Sequence, residues 1–284
     1  MRIRLVMWLA ACLALSLYFG ELWTELPGWL SPERWQRYGV FHWGVLGLCI
    51  LWLWLKRTAI LPRMQAGGLN IPFILAGVAF LALSILLPRH DEFLVFMMLL
   101  GWLGIFSILF RRASMVPAVL LAVYGFSIAF PLMAIRWLGE PAAILTTKTV
   151  TAITGILGLP ITNQGQLLQF TSRTGDAIST TVTPGCAGLA TIGVFIALFT
   201  LMVLDIRLPL KKAGYIFLIG LAGTWLQNII RILISLTAGY FWGGEALAMV
   251  HSNIAYVIFP LWFALFAYIY LRQTGKKPSG NSSP

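Results

Sequence analysis

Eight apolar stretches of membrane-crossing length dominate the chain, at 5–22, 39–55, 70–87, 93–110, 114–135, 187–204, 213–236 and 252–271. A helix spanning the hydrocarbon core of a bilayer needs about 20 largely apolar residues. Short charged punctuation separates most of these stretches, so consecutive helices must run antiparallel. The composition agrees: of 284 residues, 59% are hydrophobic and 10% charged. A soluble domain carries roughly 45–50% apolar and about 25% charged residues. A compact soluble fold has no way to hide that much apolar surface. The expected fold is an all-α polytopic membrane protein of about eight transmembrane helices, forming one integral-membrane domain over 1–275.

Charge then sets the orientation. Cytoplasmic flanks of membrane helices are enriched in Lys and Arg. With the N-terminus inside, thirteen of the twenty basic residues are cytoplasmic: Arg2, Arg4, Lys56, Arg57, Arg63, Arg111, Arg112, Arg207, Lys211, Lys212, Arg272, Lys276 and Lys277. The outer segments hold six: Arg34, Arg37, Arg89, Arg136, Lys148 and Arg173. Both termini are therefore expected in the cytoplasm, with the protein in the cytoplasmic membrane and the polar tail at 276–284 disordered. The net charge of +11 forms no single basic patch, so no nucleic-acid partner is expected.

The start of the chain admits two other readings. Residues 1–20 resemble a signal peptide, but no small-x-small cleavage site follows Phe19, which favours an uncleaved first helix. Leu9-Ala10-Ala11-Cys12 superficially resembles a lipoprotein cleavage box, although more apolar chain follows it. Three cysteines exclude a disulfide scaffold. With no Cys-x-x-Cys and no paired histidines, neither a metal site nor a cofactor is expected. No internal repeat suggests an inverted-repeat transporter.

The one long outer segment, 136–185, has two parts. Residues 141–157 read as a helix beginning at a proline, lying along the outer interface. Gly158 and Pro160 break it. Residues 166–170 and 177–182 alternate partially, and Arg173-Thr174-Gly175-Asp176 supplies turn chemistry between them, so a short β-hairpin is expected before helix six. It delivers the chain to Thr183-Pro184-Gly185-Cys186-Ala187-Gly188.

Arg231 is the one Lys or Arg within a spanning stretch, a placement that usually marks function. Thr224, Asn228, Arg231 and Ser235 share one helical face, which must meet protein or a water-filled cavity. Counted from Ala213 at about 1.5 Å per residue, Arg231 sits near the outer surface. An arginine there can also simply snorkel, although Asn228 on the same face weighs against that. Cys186 begins helix six and His251 begins helix eight, both on the outer side. Topology thus brings a thiol, a guanidinium and an imidazole to one depth.

A helix N-terminus and a nearby cation both lower a thiol pKa. Gly185 and Gly188 permit close backbone approach, and free first-turn N–H groups can cradle an oxyanion. His251 suits general base and acid work. These pieces fit nucleophilic acyl transfer. They also fit a blander picture, in which Cys186, like Cys12 and Cys49, is a small core residue and His251 is merely amphipathic. His42 and His90 fall on the same side, so topology alone does not select His251.

Cys186 within Pro-Gly-Cys-Ala-Gly-Leu, then Asn228-x-x-Arg231, then His251, resemble the exosortase/archaeosortase family of membrane transpeptidases. The resemblance is loose over the eight-span outline and specific over 183–253. It implies Cys186 as nucleophile, Arg231 as partner of thiolate and oxyanion, His251 as acid and base, and Asn228 as an orienting donor. Substrates would be exported proteins ending in a recognition motif, one transmembrane helix and a basic tail. They would be cleaved through a thioacyl-enzyme and passed to a lipid or glycan acceptor on the extracytoplasmic face. The family commonly has Ser directly after the cysteine, where this chain has Ala187. The rival reading is a polytopic transporter with Arg231 in its substrate site, or a scaffold for export of an envelope polymer. The transporter reading leaves Cys186 unexplained, and the scaffold would survive substitution of all three residues.

Overall fold

In lipid every backbone N–H and C=O must be satisfied internally, so apolar runs of this length become helices. The computed structural model describes residues 2–29, 40–65, 70–88 and 93–274, and it is mostly helical. The chain divides into two units, Met1–Ile128 and Ala129–Pro284.

The first unit contains α1 (Arg2–Tyr18), α2 (Gly20–Trp29), α3 (Val40–Leu55), α4 (Arg57–Gln65), α5 (Ile71–Leu86) and α6 (Leu94–Phe110). The first expected span is divided at Phe19, between α1 and α2. α5 and α6 approach through small residues: a Cβ added to Gly77 would stand 2.6 Å from the Gly104 carbonyl oxygen. Ser107 Oγ donates to the Phe73 carbonyl across the same contact, at 2.8 Å. Such small-residue packing lets membrane helices gain dispersion contacts where no hydrophobic force pulls them together. Cys12 and Cys49 are buried. A 3₁₀ turn, Arg111–Ser114, follows α6, with Arg111 at φ 53°.

The long helix α7 (Met115–Ile156) runs unbroken through Pro131 and Pro141. This corrects the expected separate helix at 141–157. A proline removes one backbone bond, and its fixed φ still fits a helix. Packing makes up part of the loss at Pro131: a Cβ on Gly193 would meet its ring at 3.0 Å, so the later helix Leu189–Asp205 seats directly on that proline. Forty-two residues reach about 60 Å at ~1.5 Å per residue, twice the roughly 30 Å of a hydrocarbon core. Gly158, at φ +72°, ends the helix.

Next comes a three-stranded antiparallel sheet in the order β1 (Thr162–Gln164), β2 (Leu167–Thr171), β3 (Ala177–Thr181). β2 and β3 form the expected hairpin, with Leu167 opposite Thr181 and Thr171 opposite Ala177. β1 is an additional strand, joined to β2 through Gly165 at φ +63°. Leu168, Phe170 and Val182 point to one face and bury against Ala143 and Val150 of α7 and Ile229, Ile232 and Leu236 of the later helix Leu210–Trp242.

The unit ends with α8 (Leu189–Asp205), α9 (Leu210–Trp242), α10 (Gly244–Asn253) and α11 (Ala255–Thr274). Phe195, Ile216, Phe266 and Tyr270 form a second core among α8, α9 and α11. Among the described residues three helical stretches, Leu94–Ile156, Leu210–Trp242 and Gly244–Gln273, are long and apolar enough to cross a membrane, and Trp43–Leu55, Ile71–Leu86 and Leu189–Asp205 are shorter apolar helices. The tail at 276–284 lies outside the described residues.

Candidate functional site

The segment after β3 turns sharply because of its sequence. Thr183 is extended, at φ −70° and ψ 159°, as the residue before a proline must be. Pro184 then opens a 3₁₀ turn, Pro184–Ala187, closed by the Cys186 N–H donating to the Thr183 carbonyl at 2.8 Å. Gly188, at φ +88°, redirects the chain into α8. Pro184 lies hard against α7, since a Cβ on Gly139 would stand 2.7 Å from its ring. Gly185 is exposed. Ala187, where a serine is usual in the family of the sequence resemblance, is 1% exposed and belongs to the apolar core beneath the sheet. A hydroxyl there would need a partner inside an apolar cluster.

On α9 the polar stripe faces protein. Thr224, Asn228 and Ser235 are at most 2% exposed. Thr224 Oγ1 accepts from Trp262 Nε1 at 3.0 Å. Asn228 Nδ2 donates to the Cys186 carbonyl at 2.9 Å, fixing the turn from behind. The Asn228 side chain also lies 3.1 Å from where a Cβ on Gly188 would be, so a larger residue there would crowd it. One turn further on, Arg231 is half-buried and its guanidinium interacts with Cys186. Asn228 Oδ1 and Arg231 Nε are buried without hydrogen-bond partners.

The imidazole arrives from the far side. α9 ends at Gly243, at φ +88°, and α10 folds back along it, with Leu247 filling the space that the absent side chain of Gly239 leaves. His251 therefore sits near the end of α10, not at the start of the last long helix, which begins at Ala255 after a break at Ile254. Its Nε2 lies 3.7 Å from Cys186 Sγ. Thr183 Oγ1 donates to the same sulfur at 3.3 Å.

These contacts govern the thiol. The pKa of Cys186 is lowered to about 7. The hydrogen bond with His251 is the largest cause, burial opposes it, and the Thr183 hydroxyl and the charges of His251 and Arg231 add to the lowering. A thiol so placed is substantially thiolate at neutral pH, which is what nucleophilic chemistry at sulfur requires.

Cys186, Asn228, Arg231, His251 and Gly188 thus meet in one place. Thr183 joins them, and sequence reasoning read it only as part of the approach to the helix. The available signal was its position: with Pro184 fixing a 3₁₀ turn, a hydroxyl three residues before a cysteine falls on the sulfur.

The transmembrane exosortase family model matches residues 34–268, most of the chain and all of these positions. The protein belongs to the transmembrane exosortase family. No curated protein and no solved structure matches it. As an exosortase-family member it is an integral membrane protein, in agreement with its long apolar helices. Within this exosortase the cysteine, arginine and histidine that the sequence resemblance singled out lie around one sulfur, although they come from the 3₁₀ turn, α9 and α10.

Proposed function

We propose that this exosortase-family protein is a membrane-embedded cysteine transpeptidase, with Cys186 as nucleophile, His251 as acid and base, and Arg231 as partner of thiolate and oxyanion. The observation that carries the reading is the sulfur of Cys186, 3.7 Å from an imidazole nitrogen and 3.3 Å from a threonine hydroxyl. A cysteine that merely fills space needs neither contact.

The chemistry follows from these positions. The thiolate attacks the scissile carbonyl, and the carbonyl electron pair becomes an oxyanion beside Arg231, whose planar fork suits it. His251, as imidazolium, gives its proton to the leaving amine. The C–N bond breaks, a thioacyl-enzyme remains, and the C-terminal fragment departs. An acceptor nucleophile then loses its proton to His251 and attacks the thioester, restoring the thiolate. With water as acceptor the outcome is hydrolysis. Asn228 holds the carbonyl of Cys186, Gly188 supplies the left-handed turn behind it, and the exposed Gly185 leaves room for an approaching peptide.

The substrates on this reading are exported proteins with a C-terminal recognition motif, one transmembrane helix and a basic tail. The helix lies in the bilayer beside the enzyme, and a lipid or glycan supplies the acceptor. The excess of Lys and Arg in one set of connecting segments supports cytoplasmic termini and an extracytoplasmic Cys186.

The test is covalent trapping. Membranes bearing wild-type or Cys186→Ala protein are searched by mass spectrometry for a hydroxylamine-sensitive acyl adduct and for accumulation of uncleaved C-terminal segments. An adduct on Cys186, with uncleaved segments accumulating in the variant, supports acyl transfer. Identical envelope protein profiles in both strains would sink it and favour a carrier or scaffold.

A further inference from the structure

A strand at the edge of a sheet presents unpaired backbone groups that can template another chain. The hydrogen-bonding parity of this sheet identifies which groups those are. Ser172 N–H donates to the Asp176 carbonyl, and Val182 N–H donates to the Gln166 carbonyl. Both pairs fit the β2–β3 register and sit at even positions of β3. In an antiparallel ladder, bonded and non-bonded pairs alternate. The backbone groups of Ile178 and Thr180 therefore face β2, and those of Ala177, Ser179 and Thr181 face outward. Among the described residues none of these three N–H or C=O groups has a hydrogen-bond partner on the outward side, and all three residues are exposed.

The two edges of the sheet differ. β1 has three residues, and by the same parity it turns outward at Asn163 alone, with Pro160 just before it. Shortness and proline are common protections of an edge. β3 has five residues, Ala-Ile-Ser-Thr-Thr, without proline or charge. The nearest charges are used elsewhere: Arg173 stacks over Phe241 at 4.7 Å, and Asp176 accepts from Thr174. β3 also leads directly through Val182 into Thr183 and Cys186. Beside it lies an open cavity of about 430 Å³, lined by Thr162, Gln169 and Thr171 and by the small side chains of Ala177 and Ser179.

We infer that the outward edge of β3 is the docking site for the extended segment of the substrate that precedes its cleavage point, which pairs as a fourth strand and is thereby led to Cys186. The inference rests on the transpeptidase reading and adds to it how the peptide is held. Strand addition of this kind takes affinity from main-chain bonds and specificity from alternate side-chain pockets. The cavity receives side chains from the added strand that fall on the face of Ala177 and Ser179. The direction follows too. Substrate and enzyme both pass from this segment into a membrane helix, so the added strand runs parallel to β3. The row of three outward residues sets the length read, a short segment upstream of the cleavage point. Main-chain pairing leaves most of its sequence free to vary.

The experiment first compares C-terminal processing in cells with wild-type and Cys186→Ala protein, which yields a reporter carrying a segment processed in a Cys186-dependent way. Finding no such segment overturns the transpeptidase reading and this inference with it. With a reporter in hand, Ser179→Pro deletes one outward N–H while leaving the β2 ladder intact, the position at which an edge strand tolerates proline. The expected result is a fall in processing of about tenfold or more at low substrate, carried by KM, while Cys186 keeps its wild-type alkylation rate. Unchanged processing overturns the inference and leaves the transpeptidase standing. In case the proline variant fails to fold, Ser179→Cys is paired with cysteines placed singly along the reporter segment. Disulfides recurring at every second position show a strand, and their absence or an aperiodic pattern overturns one.

Discussion

The sulfur of Cys186 lies 3.7 Å from Nε2 of His251, a residue 65 positions further along the chain. That contact is the largest influence lowering the thiol pKa to about 7. Removing it has a sign that can be stated in advance. In His251→Ala the pKa rises towards the ordinary ~8.5, so less thiolate exists at neutral pH. Iodoacetamide labelling of Cys186 in wild-type membranes is expected to reach half its maximal rate near pH 7. In His251→Ala the midpoint moves upward and the rate at pH 7 falls by about tenfold. A midpoint that stays near 7 would remove the imidazole from this role.

Thr183 makes a smaller contribution of the same sign. Thr183→Val keeps the shape and deletes the hydroxyl, so the labelling midpoint is expected to rise by less than in His251→Ala. Thr183→Ser restores the donor and should restore the wild-type profile. A structural effect alone would change the amount of folded protein and leave the midpoint where it was.

Arg231 carries its charge as a planar fork with an unpaired buried Nε. Arg231→Lys preserves the charge and loses the geometry. Processing is expected to fall by about a hundredfold or more, the scale of losing a positioned oxyanion donor. Processing of the reporter segment close to the wild-type rate would end the proposed oxyanion role.

Gly188→Ala tests the turn itself. The left-handed backbone at φ +88° costs an alanine about 1–2 kcal/mol. The added methyl also crowds Asn228 at 3.1 Å, the side chain that holds the Cys186 carbonyl. Thermal unfolding in detergent should begin several degrees lower, and thiol labelling at neutral pH should slow. If both measurements match wild type, the turn is not held as described.

Much of the helical layout can be read from the sequence because lipid leaves an apolar run few alternatives. Stretches 70–87 and 93–110 correspond closely to α5 and α6. Helix ends are less legible. Pro141 looks like a helix start in one dimension, yet α7 runs on through it, as it does through Pro131 where α8 seats at Gly193. β1 is three polar residues with no alternation to reveal it, and it exists because β2 offers an edge. Cys186, Arg231 and His251 could be grouped by shared depth, but depth does not choose among histidines. That choice needs the reversal at Gly243, which lays α10 back along α9.

The turn between β2 and β3 is fastened to a part of the chain made much later. The N–H of Arg173 donates to the Tyr240 carbonyl, and Asp176 crowds the space above Gly243. During synthesis the sheet can pack on α7 at once, but its turn has no anchor until α9 has been completed, and Cys186 emerges well before Arg231 and His251. Until then the Cys186 thiol has the Thr183 hydroxyl beside it but lacks His251, the largest cause of its lowered pKa. Its sulfur is armed only when the chain is nearly finished. Polypeptides released before residue 251 should accordingly titrate higher than the finished protein and react more slowly with neighbouring proteins while they wait.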